Sequence, residues 1–195
     1  MVQLSHVKHL QEETVDNLGN TTMQLVPCRI EVSLPHNDWD KTWSFVRLKG
    51  LESTSVTFLW RMVHNILPTR ARLHHLHMPN IESPNCLTCN VPDSIEHHLA
   101  LCPESIEVFN WLLLSLQNLC QDITMERVFL LDFPQLNAFP FVWLTANVLQ
   151  KIWNIRQKGK RAQKYEVRAE IEAKINLLRK SRYGEITTTI STMII

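Results

Sequence analysis

Four side chains of metal-binding type fall within the seventeen residues from Cys86 to Cys102, spaced Cys86-x2-Cys89-x7-His97-x4-Cys102. Two thiolates two residues apart can grip one ion from a single tight turn. A histidine and a further cysteine can then close the tetrahedron from the last turn of a short helix. Soft sulfur and imidazole donors in fourfold geometry suit zinc. With four protein donors the site is of the closed, structural kind and leaves no position for a catalytic water. Spacing alone leaves His98 open as the imidazole, in the form Cys-x8-His-x3-Cys, and His74, His75 and His77 form a reserve of ligands upstream. The plain alternative makes the cysteines small buried hydrophobes and His97 a surface residue. Four ligand types in so short a run weigh against it.

The flanking residues carry the turn chemistry such a knuckle needs. Pro84, Asn85, Asn90 and Pro92 surround the first cysteine pair, and Ser94 can cap the helix that bears the histidine. Upstream, Trp39, Trp43 and Val46 recur at helical spacing behind Asp38, a candidate N-cap. Ser53 or Ser55 opens a second helix with a stripe of Val56, Leu59, Trp60, Val63 and Ile66, which must stop before Pro68. Thr69 caps a short helix through Leu76. Downstream, Pro103-Glu104 begins a largely buried helix with Val108, Phe109, Trp111, Leu112, Leu116 and Leu119. A short segment near 124–131 follows, and Pro134 and Pro140 bracket a loop before a helix over 141–157. Gly159 interrupts the chain before a basic helix over 160–182, and the Thr/Ile-rich residues 187–195 read as a β-prone, loose tail. Residues 1–37 carry weak signals, a short helix over 3–17 and then an extended connection. The expected architecture is mostly α: an irregular helical zinc-binding domain over 38–158, its knuckle at 84–103, followed by a basic helix and tail over 159–195.

With 195 residues, 45% of them hydrophobic and 20% charged, the chain can bury a sizeable core and does not read as disordered. Cys28 and Cys120 stand apart from the constellation and read as free thiols. That pattern fits a reducing compartment, cytoplasm or nucleus. No signal peptide is evident at the start, and the apolar runs 108–119 and 139–149 are too short or interrupted for a membrane span. The net charge of +1 hides an asymmetry. Residues 1–150 carry 9 basic and 15 acidic side chains, whereas residues 151–195 carry 11 and 4. A basic end of this kind is a candidate polyanion surface, and a solvated lysine-rich helix is the plain alternative.

The stretch Phe58-Leu-Trp60-Arg-Met-Val-His64-Asn-Ile-Leu67-Pro-Thr-Arg70-Ala-Arg72-Leu73, the pair Cys86-x2-Cys89 and the segment Asp93-Ser-Ile-Glu-His97-x4-Cys102-Pro103 together resemble a known family. It is the reverse-transcriptase zinc-binding region, C-terminal to the polymerase in non-LTR (LINE-type) retrotransposon polyproteins. Asp93-Ser94 stands where that family usually has Glu-Thr, a change that keeps acid and hydroxyl. The resemblance is specific over about 39–110 and continues loosely to Ile152-Trp153-Asn154-Ile155-Arg156. It implies His97 rather than His98 as the ligand, Zn2+ as the bound ion, and a non-catalytic module associated with RNA or DNA.

The polymerase's aromatic-x-Asp-Asp motif occurs nowhere, and no two aspartates are adjacent. The chain is therefore expected to be a fragment or domesticated remnant without polymerase activity. Arg61, Arg70 and Arg72, with the neighbouring histidines, and Lys158, Lys160, Arg161 and Lys164 are the candidate phosphate contacts. In a second reading zinc only staples a helical module whose basic helices dock on a protein, such as the rest of a polymerase, with the apolar helix 141–157 as an interface left open by the missing domain. An endonuclease reading rests on Pro92-Asp93 and Glu172-Ala173-Lys174, two short matches of the kind that arise by chance. His64 reads as a helix-surface residue, and Trp43 and Trp60 as core.

Overall fold

A computed structural model of the chain describes residues 38–134, 136, 138–180 and 184–194. The helix and extended connection expected over 1–37 lie outside the described residues. The described elements are α1 (Trp39–Val46), α2 (Ser53–Val63), α3 (Arg70–His75), a π-helical turn (His97–Leu101), α4 (Ile106–Gln117), α5 (Met125–Leu130), α6 (Ala138–Arg156), α7 (Lys164–Arg179) and α8 (Gly184–Met193).

Three of these elements start where a capping side chain puts them. The Asp38 carboxylate accepts from the Lys41 N–H at 3.0 Å and opens α1. The hydroxyls of Thr69 and Thr124 accept from Arg72 and Arg127 at the starts of α3 and α5. Each satisfies a donor that the first helical turn leaves without an intrahelical partner. The start of α4 differs slightly from expectation. Pro103 and Glu104 form a turn ahead of it, and the helix proper begins at Ile106.

The centre of the fold is α6, which packs against α1, α2, α4, α7, α8 and the π turn. It begins at Ala138 and not after Pro140. Pro140 sits in its first turn, where a missing N–H leaves no intrahelical bond broken. The apolar surface of α6, expected as a possible open docking face, is instead covered. Phe141, Val142, Leu144, Val148, Leu149 and Ile152 are all buried. Leu59 and Met62 from α2, Leu112 and Leu116 from α4 and Val167 and Ile171 from α7 close the core around it.

Two further expectations change. The inward face of α2 is Ser55, Phe58, Leu59, Met62 and Val63, so the helix is rotated from the expected stripe and Trp60 is left 45% exposed. The tail after 187 is helical as α8, packed on α7 and α6. Thr187, Ile190 and Met193 recur every three residues and are buried. That periodic burial against neighbouring helices outweighs the local β preference of threonine and isoleucine. Gly159 ends the α6 segment with φ +67°, the left-handed conformation glycine adopts without steric cost.

Candidate metal centre

The first cysteine pair sits on a tight loop. The Asn90 N–H donates to the Cys86 carbonyl at 3.0 Å, and the Cys86 N–H donates to Val91 at 2.8 Å. Asn90 takes φ 57°, a left-handed position that asparagine tolerates better than most residues. Asn85 and Pro92 pair as an isolated antiparallel bridge, and the Asn85 side-chain amide donates to the Asn90 side-chain oxygen at 3.1 Å.

The second pair of donors comes from the π turn. Ser94 behaves as the expected cap: its hydroxyl accepts from the His97 N–H at 3.1 Å. The turn then closes through the Cys102 N–H donating to the His97 carbonyl at 2.8 Å, an i→i+5 bond. In a regular α-helix, residues five apart point roughly 140° away from each other. The wider turn brings His97 and Cys102 to one side.

The result is a cluster of Cys86, Cys89, His97 and Cys102 whose donor atoms all lie within 4.8 Å of one another. Cys86 Sγ and Cys102 Sγ are 3.8 Å apart, and Cys89 Sγ and His97 Nε2 are 3.2 Å apart. Tetrahedral zinc with bonds of about 2.3 Å to sulfur holds two sulfurs roughly 3.8 Å apart. The donor set and its spacing therefore fit zinc. Burial pushes the Cys86 thiol up, but the N–H groups of Thr88 and Cys89 and the His97 and Cys102 side chains outweigh it and bring the thiol down to about 6. Burial, with the Cys86 sulfur alongside, raises Cys102 to about 11. Negative charge is thus accommodated at Cys86, as a thiolate ligand requires.

His98, the alternative imidazole, is turned elsewhere. Its Nδ1 donates to Asp93 Oδ1 at 3.1 Å, since a carboxylate only accepts. Its ring lies 4.7 Å from that of Trp153 on α6. Asp93 Oδ2 accepts from the backbone N–H of Arg70 at 3.0 Å, and Arg70 Nε donates to the Asn85 carbonyl at 2.8 Å. The Leu67-Pro-Thr-Arg70 turn is thereby latched to the knuckle. Although burial raises the Asp93 carboxyl, the His98 and Arg70 hydrogen bonds hold it below the usual carboxylate range.

The candidate phosphate contacts fall into two groups. Arg61, Lys158, Lys160, Arg161 and Lys164 are exposed, with Arg161 3.7 Å from Glu107. Arg70 and Arg72 are half-buried, and Arg72 donates to the Asn65 carbonyl at 3.2 Å. Both arginines therefore hold backbone in place. His74, His75 and His77 stand outside the thiol cluster. His64 is not the free surface residue expected. It lies between Trp43 and Trp60, at ring separations of 4.6 and 4.4 Å, and burial lowers its pKa. Cys120 is a free, half-buried thiol, and Cys28 lies outside the described residues. Glu172 of the endonuclease reading is paired with Arg168 at 2.8 Å. Among the described residues no helix is long and apolar enough to cross a membrane.

Sequence reasoning did not find two participants. The motif marks Asp93 only as a replacement for a family glutamate and carries no sign of its part as a latch. Arg156, at the end of α6, places Nη2 3.1 Å from Cys102 Sγ, and sequence spacing alone carries no signal for so remote a contact.

The architecture and the cluster define a helical zinc-binding domain. Residues 30–122, 93 of the 195, match the family model described as zinc-binding in reverse transcriptase. That stretch is similar to the reverse-transcriptase zinc-binding domain that its motifs resemble. No curated protein and no solved structure matches the chain.

Proposed function

We propose that this chain is a non-catalytic, zinc-stapled module that binds RNA or DNA through its phosphates, with Cys86, Cys89, His97 and Cys102 as the zinc ligands. The convergence of those four donors within 4.8 Å carries the reading. Because all four come from protein, the ion's part is to cross-link the loop and the π turn and add folding free energy. The exposed cations Lys158, Lys160, Arg161 and Lys164 follow the end of α6, and the Ala162 N–H donates to the Glu104 carbonyl at 2.9 Å just past the knuckle. The basic segment is therefore anchored beside the stapled loop. Arg61 adds a further exposed charge. Arg70 and Arg72 act by shaping the turn that supports the knuckle.

Each cation that neutralises a phosphate releases a counterion, so affinity must fall with salt. The test is binding to labelled single-stranded and duplex RNA and DNA at several salt concentrations. Replacing Lys158, Lys160, Arg161 and Lys164 together with alanine is expected to flatten the salt slope by about 3. A salt-independent response in the native protein would remove phosphates from the reading. Docking on a protein is the second reading, favoured by Leu87 at the knuckle tip, which is 84% exposed. Self-association or capture of a reverse transcriptase without nucleic-acid affinity would select it.

A further inference from the structure

The thiol cluster has a neighbour from far along the chain. Arg156 Nη2 lies 3.1 Å from Cys102 Sγ and 3.5 Å from Cys86 Sγ. Among the described residues no carboxylate pairs with this guanidinium, and its Nε is buried without a hydrogen-bond partner. One turn earlier on α6, the Trp153 ring packs on His98, next to His97 in sequence. Both contacts come from beyond residue 122, where the family match ends.

The charge balance gives these contacts a purpose, resting on the zinc-ligand reading above. Three thiolates and one neutral imidazole around a divalent ion leave one surplus negative charge. Cys86 and Cys102 are both buried, where an uncompensated charge is costly. A guanidinium is permanently charged and less strongly hydrated than an ammonium, and it donates in a fixed plane. Hydrogen bonds to metal-bound ligands tune how firmly they hold the ion.

We propose that Arg156 is a positioning residue of the zinc centre. Its guanidinium donates to the Cys86 and Cys102 thiolates, neutralises the surplus charge and couples metal retention to the seating of α6. The centre is then shared between the knuckle and a helix outside the matched domain.

The test uses the full chain, loaded with zinc or with Co(II) as a spectroscopic substitute. Zinc affinity is read by chelator competition, the sulfur-to-cobalt charge-transfer band by absorption, and the fold by far-UV circular dichroism. Arg156→Gln is expected to weaken zinc binding about 10–100-fold. It should also move the charge-transfer band to longer wavelength, because a sulfur that loses a cationic donor gives up charge more readily. Arg156→Lys should recover part of both effects. A folded Arg156→Gln protein with unchanged affinity and an unmoved band would overturn the proposal. Should Arg156→Gln fail to fold, the cobalt band of Arg156→Lys decides: a shift supports the role, and a band coincident with the native one overturns it. Cys86→Ser separates the two levels of the argument. If it keeps its zinc, the ligand assignment fails, whereas zinc loss there beside an unaffected Arg156→Gln removes only the role of Arg156.

Discussion

Replacing Asp93 with alanine should loosen the link between the Leu67-Pro-Thr-Arg70 turn and the knuckle without touching a metal donor. Asp93 is 3% exposed and accepts from two donors, the part-buried Arg70 N and the buried His98 Nδ1. A donor left buried and unpaired costs about 1–3 kcal/mol, and with the part-buried Arg70 N–H towards the lower end the loss should come to roughly 2–5 kcal/mol. That is a large part of the 5–15 kcal/mol typical of a domain. With a urea m-value of about 1–3 kcal/mol/M, a loss near 3 kcal/mol moves the unfolding midpoint down by roughly 1–3 M. Asp93→Asn keeps an oxygen for Arg70 and should cost less. The pH dependence has a definite sign. The Asp93 carboxyl is held below its ordinary value, so its contribution is full above the unfolded pKa of about 3.9 and fades as pH falls through the folded value. The stability gap between native and Asp93→Asn proteins must therefore narrow in acid. The assay is urea unfolding followed by circular dichroism at matched zinc over several pH values. A midpoint shift for Asp93→Ala below about 0.3 M, or a gap that widens in acid, would refute the reasoning.

Three other outcomes are expected. His97→Ala should lose the one bound zinc by native mass spectrometry together with helical signal, whereas His98→Ala should keep its metal and lose only stability; the reverse pattern would exchange the two histidines. Met193→Ala should cost about 2–5 kcal/mol in urea unfolding, because Met193 is fully buried in α8, and a change below about 0.5 kcal/mol would mean α8 is not docked. Asp132 bridges Lys41 and Arg127 at 2.6 and 2.9 Å. Despite partial burial, those cations lower its pKa, so Asp132→Asn should cost little, about 1 kcal/mol or less given its solvent exposure, and that cost should vanish as the carboxyl protonates in acid.

The elements most legible in the sequence were those whose evidence is local. Asp38, Thr69 and Thr124 could be placed as caps or segment starts because a cap needs only the next three residues. The knuckle could be read because Cys86 and Cys89 meet across one turn, and the pattern through His97 and Cys102 is that of a recognisable family. Local preference misjudged α8, where threonines and isoleucines suggested an extended tail until α6 and α7 supplied a surface for Thr187, Ile190 and Met193 to bury. It misjudged α2 as well, since several faces of that helix offered apolar residues and only the position of α6 selected Phe58 and Met62 over Trp60.

The metal chemistry divides along the same line. Residue types and spacing by themselves determined that a zinc-type donor set was present, because ligand identity and short loop lengths are properties of the chain. Spacing left two histidines open and the family resemblance pointed to His97; the tertiary structure supplied the geometry that groups His97 with the thiols and turns His98 away. A π turn and an Asp93 hydrogen bond point neighbouring imidazoles in different directions, and spacing cannot distinguish residues one position apart. Only the tertiary structure brought Arg156 to Cys86 across seventy residues. A contact of that sequence separation depends on how α6 packs into the core, which no local pattern encodes.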